Sequence, residues 1–425
     1  MPSFQTSPGT RDITPPDSSR WRALTSVFAS VVEPAGYGLV VPPMFEDLGV
    51  FQRLGDATDV VTKEMYDFED KGGRRVALRP EHTAGVCRAF VQHRPLVPWK
   101  VWYSGSNFRY EKAQAGRFRQ FDQVGVEVLG VDDPLLDAEV ISLAWNFYAA
   151  LGLSNVELVV NSLGDEADRS SYVDALKAHF SARADSMSDE ALTTLERNPL
   201  RVLDSKRSQD AEAIAAAPSM REHLSAEAQS HFDAVVAGLT RLGVPYRIDD
   251  RLVRGLDYYR RTTFEFVAHR LEGSQNAVGG GGRYDGLVED LGGPATPGVG
   301  FALGVDRTLL ACDAEGVFPG PSSAVDVFVV DTSGGVAALE ITGELRALGR
   351  SADRAWENKS MKSQMKSADR SGARVAVIVG ADEAAAGTCT VRNLGTSEQT
   401  TIARSELVSH LDAILGSAHD PGRQR

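Results

Sequence analysis

An arginine, an aspartate and two tyrosines fall within one short stretch, Arg254-Gly-Leu-Asp-Tyr-Tyr259, and four consecutive glycines follow at 279–282. A fixed cation beside phenols can hold a small polar ligand with a negative group, and glycines let a backbone approach where any side chain would obstruct it. A turn with a solvated charge pair would use the same Arg254 and Asp257, so the stretch has to be weighed with its surroundings. A second group is Phe108-Arg-Tyr-Glu111, the loop 112–116 and Arg117-Phe-Arg-Gln-Phe121. Guanidinium forks bind phosphate oxygens two at a time, and Phe121 offers a face on which a base can stack. Next comes Gln123-Val-Gly-Val-Glu-Val128, whose strict alternation puts Gln123, Gly125 and Glu127 on one strand face and three valines on the other. The polar face suits a cleft, although a half-exposed strand with a solvated Glu127 has the same pattern. Pro80-Glu-His-Thr83 places a carboxylate and a hydroxyl where a strand gives way to a helix. Glu81 and Thr83 there can hold an ammonium group or cap the helix.

The elements that must carry these residues are readable in outline. Asp17 can cap a helix over 18–35 with Trp21, Leu24, Phe28, Val31 and Val32 on one stripe. Residues 39–46 read as an edge strand broken by Pro42 and Pro43. Residues 63–68 and 75–79 read as a hairpin around the 70–73 turn, and Asp133-Pro134 as the start of a helix. From about 165 to 243 the chain reads as a helical insertion between strand-rich halves, interrupted at Asn198-Pro-Leu-Arg-Val-Leu-Asp204. A linker at 320–323 precedes a small α/β unit with strands at 325–331, 374–380 and 389–394 and a helix at 335–349. Within it Lys359, Lys362, Lys366 and Arg370 fall on one helical face, a pattern shared by RNA-binding faces and by ordinary solvated lysines.

Composition bounds the possibilities. The chain has 425 residues, 42% hydrophobic and 24% charged, enough for a large core and two or three domains. Its three cysteines, Cys87, Cys312 and Cys389, have no metal or disulfide spacing, which fits a reducing cytosol. No stretch approaches the apolar length of a membrane span and the start lacks an export signal, so the expectation is a cytoplasmic protein with no membrane partner. A net charge of −13 excludes a chain coated for nonspecific nucleic-acid binding, while leaving room for a local basic face. The glycines of Gly298-Val-Gly-Phe-Ala-Leu-Gly304 miss the dinucleotide fingerprint at Leu303, and no P-loop occurs.

Taken together, these stretches resemble a class II aminoacyl-tRNA synthetase of the histidyl-tRNA synthetase family over almost the whole chain. The segment ending at Pro43 resembles motif 1, residues 108–121 resemble motif 2, and residues 298–307 resemble motif 3. Arg254 to Tyr259 and Gly280-Gly-Gly-Arg-Tyr-Asp285 resemble the two histidine-specific signatures. The resemblance implies an α+β fold. A catalytic domain, 1–322, has an antiparallel sheet flanked by helices and a helical insertion, and an α/β anticodon-binding domain occupies 323–425. It implies ATP-dependent joining of L-histidine to tRNA(His), with ATP and Mg²⁺ as substrate, no tightly held protein metal, and a homodimer. Arg109 and Arg254 would act on the α-phosphate and the histidine carboxylate. Arg117 and Arg307 would hold the triphosphate, Phe121 and Arg307 the adenine, and Glu111 its edge. Glu81, Thr83 and Gln123 would bind the amino group, and Glu127, Tyr258, Tyr259 and Tyr284 the imidazole. Gln114 and Lys112 would approach the acceptor end; Ala113 and Ala115 depart from the proline and lysine common there. His82 stands where a small residue is usual and has no assigned role. A histidine-sensing regulatory relative is the competing expectation, but such paralogues lose the C-terminal domain and the arginines that this chain retains.

Overall fold

The computed structural model describes residues 4–52, 60–271, 276–320 and 325–416. The chain forms two compact units, Met1–Phe318 and Pro319–Arg425. The 320–323 linker expectation falls, apart from Gly320, outside the described residues.

An eight-stranded sheet organises the first unit. Across it lie Gly38–Leu39, Trp99–Phe108, Gln120–Leu129, Gly298–Gly304, Ala277–Arg283, Arg260–Ala268, Val156–Ser162 and Arg247–Ile248. The six inner strands pair antiparallel, and the two-residue strands at the edges pair parallel. Val124, Val126 and Val128 point into the main core, where Leu24, Phe28, Phe147, Phe232 and Phe301 meet them from helices Asp17–Val32, Pro134–Ala150 and Ala226–Arg241 and the neighbouring strand. Asp133 Oδ1 accepts from the Leu135 amide at 2.9 Å, so the Asp-Pro pair starts its helix as expected. The opposite sheet face is closed by Thr83–His93 and a second core around Phe90, Tyr258, Tyr259 and Tyr284.

Several expectations need correction. Asp17 is the first helical residue and not the cap; the helix ends at Val32 and a 3₁₀ turn, Glu33–Ala35, finishes it. Residues 39–46 do not make one strand. Gly38–Leu39 is the sheet edge, the prolines break away from it, and Phe45–Asp47 joins a separate three-stranded sheet. The hairpin is shorter than expected, Asp67–Glu69 against Arg75–Leu78, because Val60–Glu64 forms a π-helical turn. The insertion is also smaller in packing terms. Residues such as Tyr172, Leu176, Phe180, Leu195, Val202 and Met220 share a core of their own, whereas Phe232, Val235 and Leu239 of the last helix belong to the main core.

The second unit is a five-stranded sheet ordered Ala352–Arg354, Val327–Asp331, Val375–Val379, Thr388–Asn393 and Gln399–Ala403. Its core contains Val329, Ile341, Val377 and Leu411. Lys362, Lys366 and Arg370 lie exposed on helix Met361–Arg370 with Ala368 buried behind them. Lys359 precedes that helix and pairs with Glu357 at 2.7 Å, so it does not share the helical face.

Candidate active site

The cavity of the first unit, about 370 Å³, is lined by Glu81, Thr83, Arg109, Glu111, Arg117, Phe121, Gln123, Arg254, Tyr258, Tyr259 and Arg307 among others. It therefore gathers residues from stretches far apart in sequence. Glu127 and Tyr284 are not in its wall; both are buried directly behind it.

At one end the two buried carboxylates have different jobs. Glu81 accepts from the Thr83 and Ala84 amides at 2.7 Å each, holding the start of the helix while facing the cavity. Of the two uses open from sequence, Glu81 makes the bonds that hold the helix start, and its place in the cavity wall leaves the ammonium-holding use open to it. Burial raises its carboxyl above the usual range even though those amides favour the ionised form. Glu127 receives the Thr83 hydroxyl at 2.7 Å and the Tyr103 hydroxyl at 3.2 Å on Oε1, and the Tyr284 hydroxyl on Oε2. Burial pushes its pKa up to about 8, opposed by these hydrogen bonds and assisted by the charge of Glu81. Gly300 lies opposite Glu127 in the strand register, and a Cβ there would collide with the carboxylate. Gln123 faces the cavity with its Oε1 held by Asn107 at 2.6 Å. His82 is buried and stacks on Tyr103 at 4.2 Å, and burial and then Arg79 hold its pKa well below the ordinary imidazole range. It packs the phenol that reaches Glu127.

Arg254 crosses the cavity wall. Its Nη1 donates to Glu265 at 2.6 Å, and its guanidinium lies 5.9 Å from the centre of the Tyr259 ring. A Cβ on Gly280 would come within 2.9 Å of that guanidinium, so the glycine run makes room for the arginine as well as for any ligand. Tyr258 and Tyr259 lie beside each other, with burial raising both phenols.

Three guanidiniums converge in the same cavity, with Arg109 the one next to Glu81. Arg109 donates to the Pro80 carbonyl at 2.9 Å and sits 5.3 Å from the centre of Phe121. Arg307 donates to the carbonyls of Gly116 at 3.1 Å and Ala277 at 3.0 Å, and Arg117 pairs with Glu111. Burial, then repulsion from Arg117, lowers the pKa of Arg307. Burial opposes ionisation of Glu111, but its hydrogen bond to Arg117 wins and holds it below the usual range. Cations that repel each other in a walled cavity are a ready site for a polyphosphate, whose charge relieves the repulsion. Among the described residues, no cluster of three or more His, Cys, Asp or Glu is suited to hold a metal ion.

Sequence reasoning missed Glu265, Asp204 and Tyr103. Glu265 had a signal, since its strand neighbour is the glycine run. Asp204 comes from the insertion to line the cavity with its side chain half exposed, and partial withdrawal from water in the cleft raises its carboxyl above the usual range. Tyr103 carried no polar pattern of its own. Gln114 sits exposed in the motif 2 loop, paired through its backbone with Arg117, outside the cavity wall. Lys359, Lys362, Lys366 and Arg370 belong to the other unit.

Known proteins match this arrangement along its length. The family model described as histidyl-tRNA synthetase matches residues 9–308, and one described as an anticodon binding domain matches 325–414. The histidine–tRNA ligase of Rhodococcus erythropolis is 47% identical over 97% of this chain and 98% of its own. That of Geobacillus kaustophilus is 45% identical over 97% and 99%. A crystal structure of apo S. aureus histidyl-tRNA synthetase superposes with a TM-score of 0.81 at 35% identity, covering 96% of this chain and 99% of that one.

Proposed function

The chain belongs to the histidyl-tRNA synthetase family and charges tRNA with histidine, and we propose that it does so through a histidyl-adenylate. In the first step a histidine carboxylate oxygen attacks the α-phosphorus of ATP, supplied with Mg²⁺ as its counter-ion, and pyrophosphate leaves with the electrons of the broken P–O bond. In the second, a terminal ribose hydroxyl of tRNA(His) attacks the histidyl carbonyl and AMP leaves. Both transition states gather negative charge, so the rate comes from fixed cations and alignment more than from a strong base.

The observation that carries this reading is the polarity of the cavity. The cavity wall carries the carboxyl of Glu81, the hydroxyl of Thr83 and the carboxamide of Gln123 together with the guanidiniums of Arg117, Arg307 and Arg254, and Arg109 links the two sets, bonded to the Pro80 carbonyl next to Glu81 and close to Glu111 and Arg307. An amino acid laid with its ammonium toward Glu81 presents its carboxylate to Arg254 and Arg109, where the α-phosphate of a bound nucleotide would lie. Glu127, behind Thr83 and held by two phenols, can take one imidazole nitrogen as donor or acceptor, with Tyr258 and Tyr259 at the ring. A side chain without those nitrogens would displace water from these polar groups and return no hydrogen bond, which is the basis for selectivity. In this reading adenine lies between Phe121 and Arg307, with Glu111 at its edge; that all three line the one cavity supports it.

Two further parts of the reading concern assembly and RNA. Leu39, Val41, Met44 and Phe45 are exposed apolar side chains on the segment around Pro42 and Pro43, which supports a homodimer formed through that segment. Lys362, Lys366 and Arg370 supply phosphate contacts for tRNA(His) in the anticodon-binding unit, with Lys359 beside them, and Gln114 approaches the acceptor end. The test of the whole is charging of tRNA(His) with labelled histidine, following AMP and pyrophosphate. One of each per histidyl-tRNA is expected; ADP and phosphate instead would overturn the adenylate route.

A further inference from the structure

The insertion grips the loop that carries Arg254. Its 3₁₀ segment Pro199–Asp204 is anchored by buried Leu200, Val202 and Leu203 in the insertion's own core, and its polar residues reach across to residues 253–257. Asn198 Nδ2 donates to Asp257 Oδ1 at 3.3 Å, and Arg201 donates to the Gly255 carbonyl. Arg169, on helix Glu166–Ser181, donates to the Asp257 carbonyl at 2.7 Å and lies 3.6 Å from its carboxylate. Val253 packs against both the insertion core and the core of Tyr258 and Tyr259. Residues on both sides of Arg254 are therefore fixed by the insertion.

The side chain of Arg254 is anchored elsewhere. Glu265 on the central sheet takes Nη1, while Nε is buried without a partner among the described residues. Backbone from one body and side-chain anchor from another means that a shift of the insertion displaces the guanidinium from the place Glu265 sets for it. Asp204, 3.8 Å from Arg201, brings a carboxylate from the same segment into the cavity wall, so that shift also alters the charge facing Arg254.

We propose that Asn198, Arg201 and Arg169 are positioning residues through which docking of the insertion sets the catalytic placement of Arg254. The proposal rests on the reading of Arg254 as the cation that meets the histidine carboxylate and the α-phosphate. A misplacement of about 1 Å in such a group lowers a rate by roughly 100-fold.

The test uses the full-length protein and Arg201→Ala, Arg201→Lys and Arg254→Ala, singly and with Arg201→Ala combined with Arg254→Ala. Histidine-dependent ATP–pyrophosphate exchange is measured together with the affinity for histidinol, the amino alcohol that keeps the amine and imidazole but lacks the carboxylate. Arg201→Ala is expected to lower the exchange kcat by about 10- to 100-fold with histidinol affinity changed less than about twofold. Arg201→Lys, able to donate one hydrogen bond to a carbonyl, should recover most of the loss. In the Arg254→Ala background, Arg201→Ala should cost nothing more, because a residue acting through Arg254 has nothing left to position. Equal losses of exchange and histidinol binding, or a full further loss in the double variant, would overturn the proposal in favour of a general scaffold role. If Arg254→Ala is impaired and Arg201→Ala is not, the positioning link alone falls. Wild-type exchange in Arg254→Ala would remove the reading beneath it as well.

Discussion

Replacing Glu127 by glutamine isolates the buried carboxyl behind Thr83. In the folded protein its pKa is pushed up to about 8 by burial, against 4.5 for an ordinary glutamate. The sign follows from proton counting. Between these values the folded state holds a proton that the unfolded chain has released, so the group's contribution favours folding below about pH 4.5 and is lost as pH rises toward 8. At about 1.4 kcal/mol per pH unit, the interval from pH 5 to 7 removes about 2.5 kcal/mol from the wild type. Glu127→Gln keeps the shape and loses the titration, so its stability relative to wild type should improve by about that amount between pH 5 and 7. Urea unfolding of both proteins, followed by tryptophan fluorescence at fixed protein concentration and without ligands, measures this directly. Shifted groups that do not act on Glu127, such as Asp204, are common to both proteins and cancel in the difference. A difference between the two proteins that does not change with pH would mean that Glu127 is ionised in the fold, refuting the burial argument. The same variant should raise the KM for histidine at least about tenfold with little change in that for ATP, since only one substrate's binding contact is weakened; a shift confined to ATP would remove Glu127 from the imidazole site.

Arg254→Lys is expected to fold normally and lose adenylate formation by roughly two to three orders of magnitude, because an ammonium cannot present a two-pronged fork; normal exchange in that variant contradicts the assignment. Sedimentation at micromolar concentration should show twice the chain mass, and Val41→Glu should shift the population to monomer; a monomeric wild type removes the dimer. A chain ending at Phe318 should retain histidine-dependent exchange and lose most tRNA charging, and undiminished charging would take the anticodon role from the second unit. Reversing Lys362 and Lys366 to glutamate in the full chain should raise the KM for tRNA and flatten its salt dependence with exchange untouched, as expected when phosphate contacts are removed; an unchanged salt slope leaves those lysines as solvated surface.

Local periodicity made much of the fold legible. The alternation at 123–128 separated the valines that enter the main core from the polar residues on the site face, and Asp133-Pro134 marked a helix start through a capping bond to its near neighbour. What depended on distant partners was not legible. The withdrawal of Glu127 behind Thr83 is set by Tyr103, Tyr284 and the empty space at Gly300, which lie on three other segments. The break at 198–204 was visible as an interruption of helical pattern, but nothing local indicates that Asn198 and Arg201 reach Asp257 and Gly255. Strands Ala352–Arg354 and Gln399–Ala403 were missed for a different reason. One is three residues long and the other almost wholly exposed, so neither has an alternating apolar face to read.

The central claim is that one cavity aligns histidine and ATP for attack of a carboxylate on the α-phosphate. The most direct measurement is exchange of labelled pyrophosphate into ATP, run separately with each of the twenty amino acids and without tRNA. The account predicts exchange with histidine and background rates with the other nineteen, because in the proposed pose a side chain without the ring nitrogens would desolvate the polar groups beside Glu127 and return no hydrogen bond. Exchange independent of histidine, or equally strong with another amino acid, would contradict it.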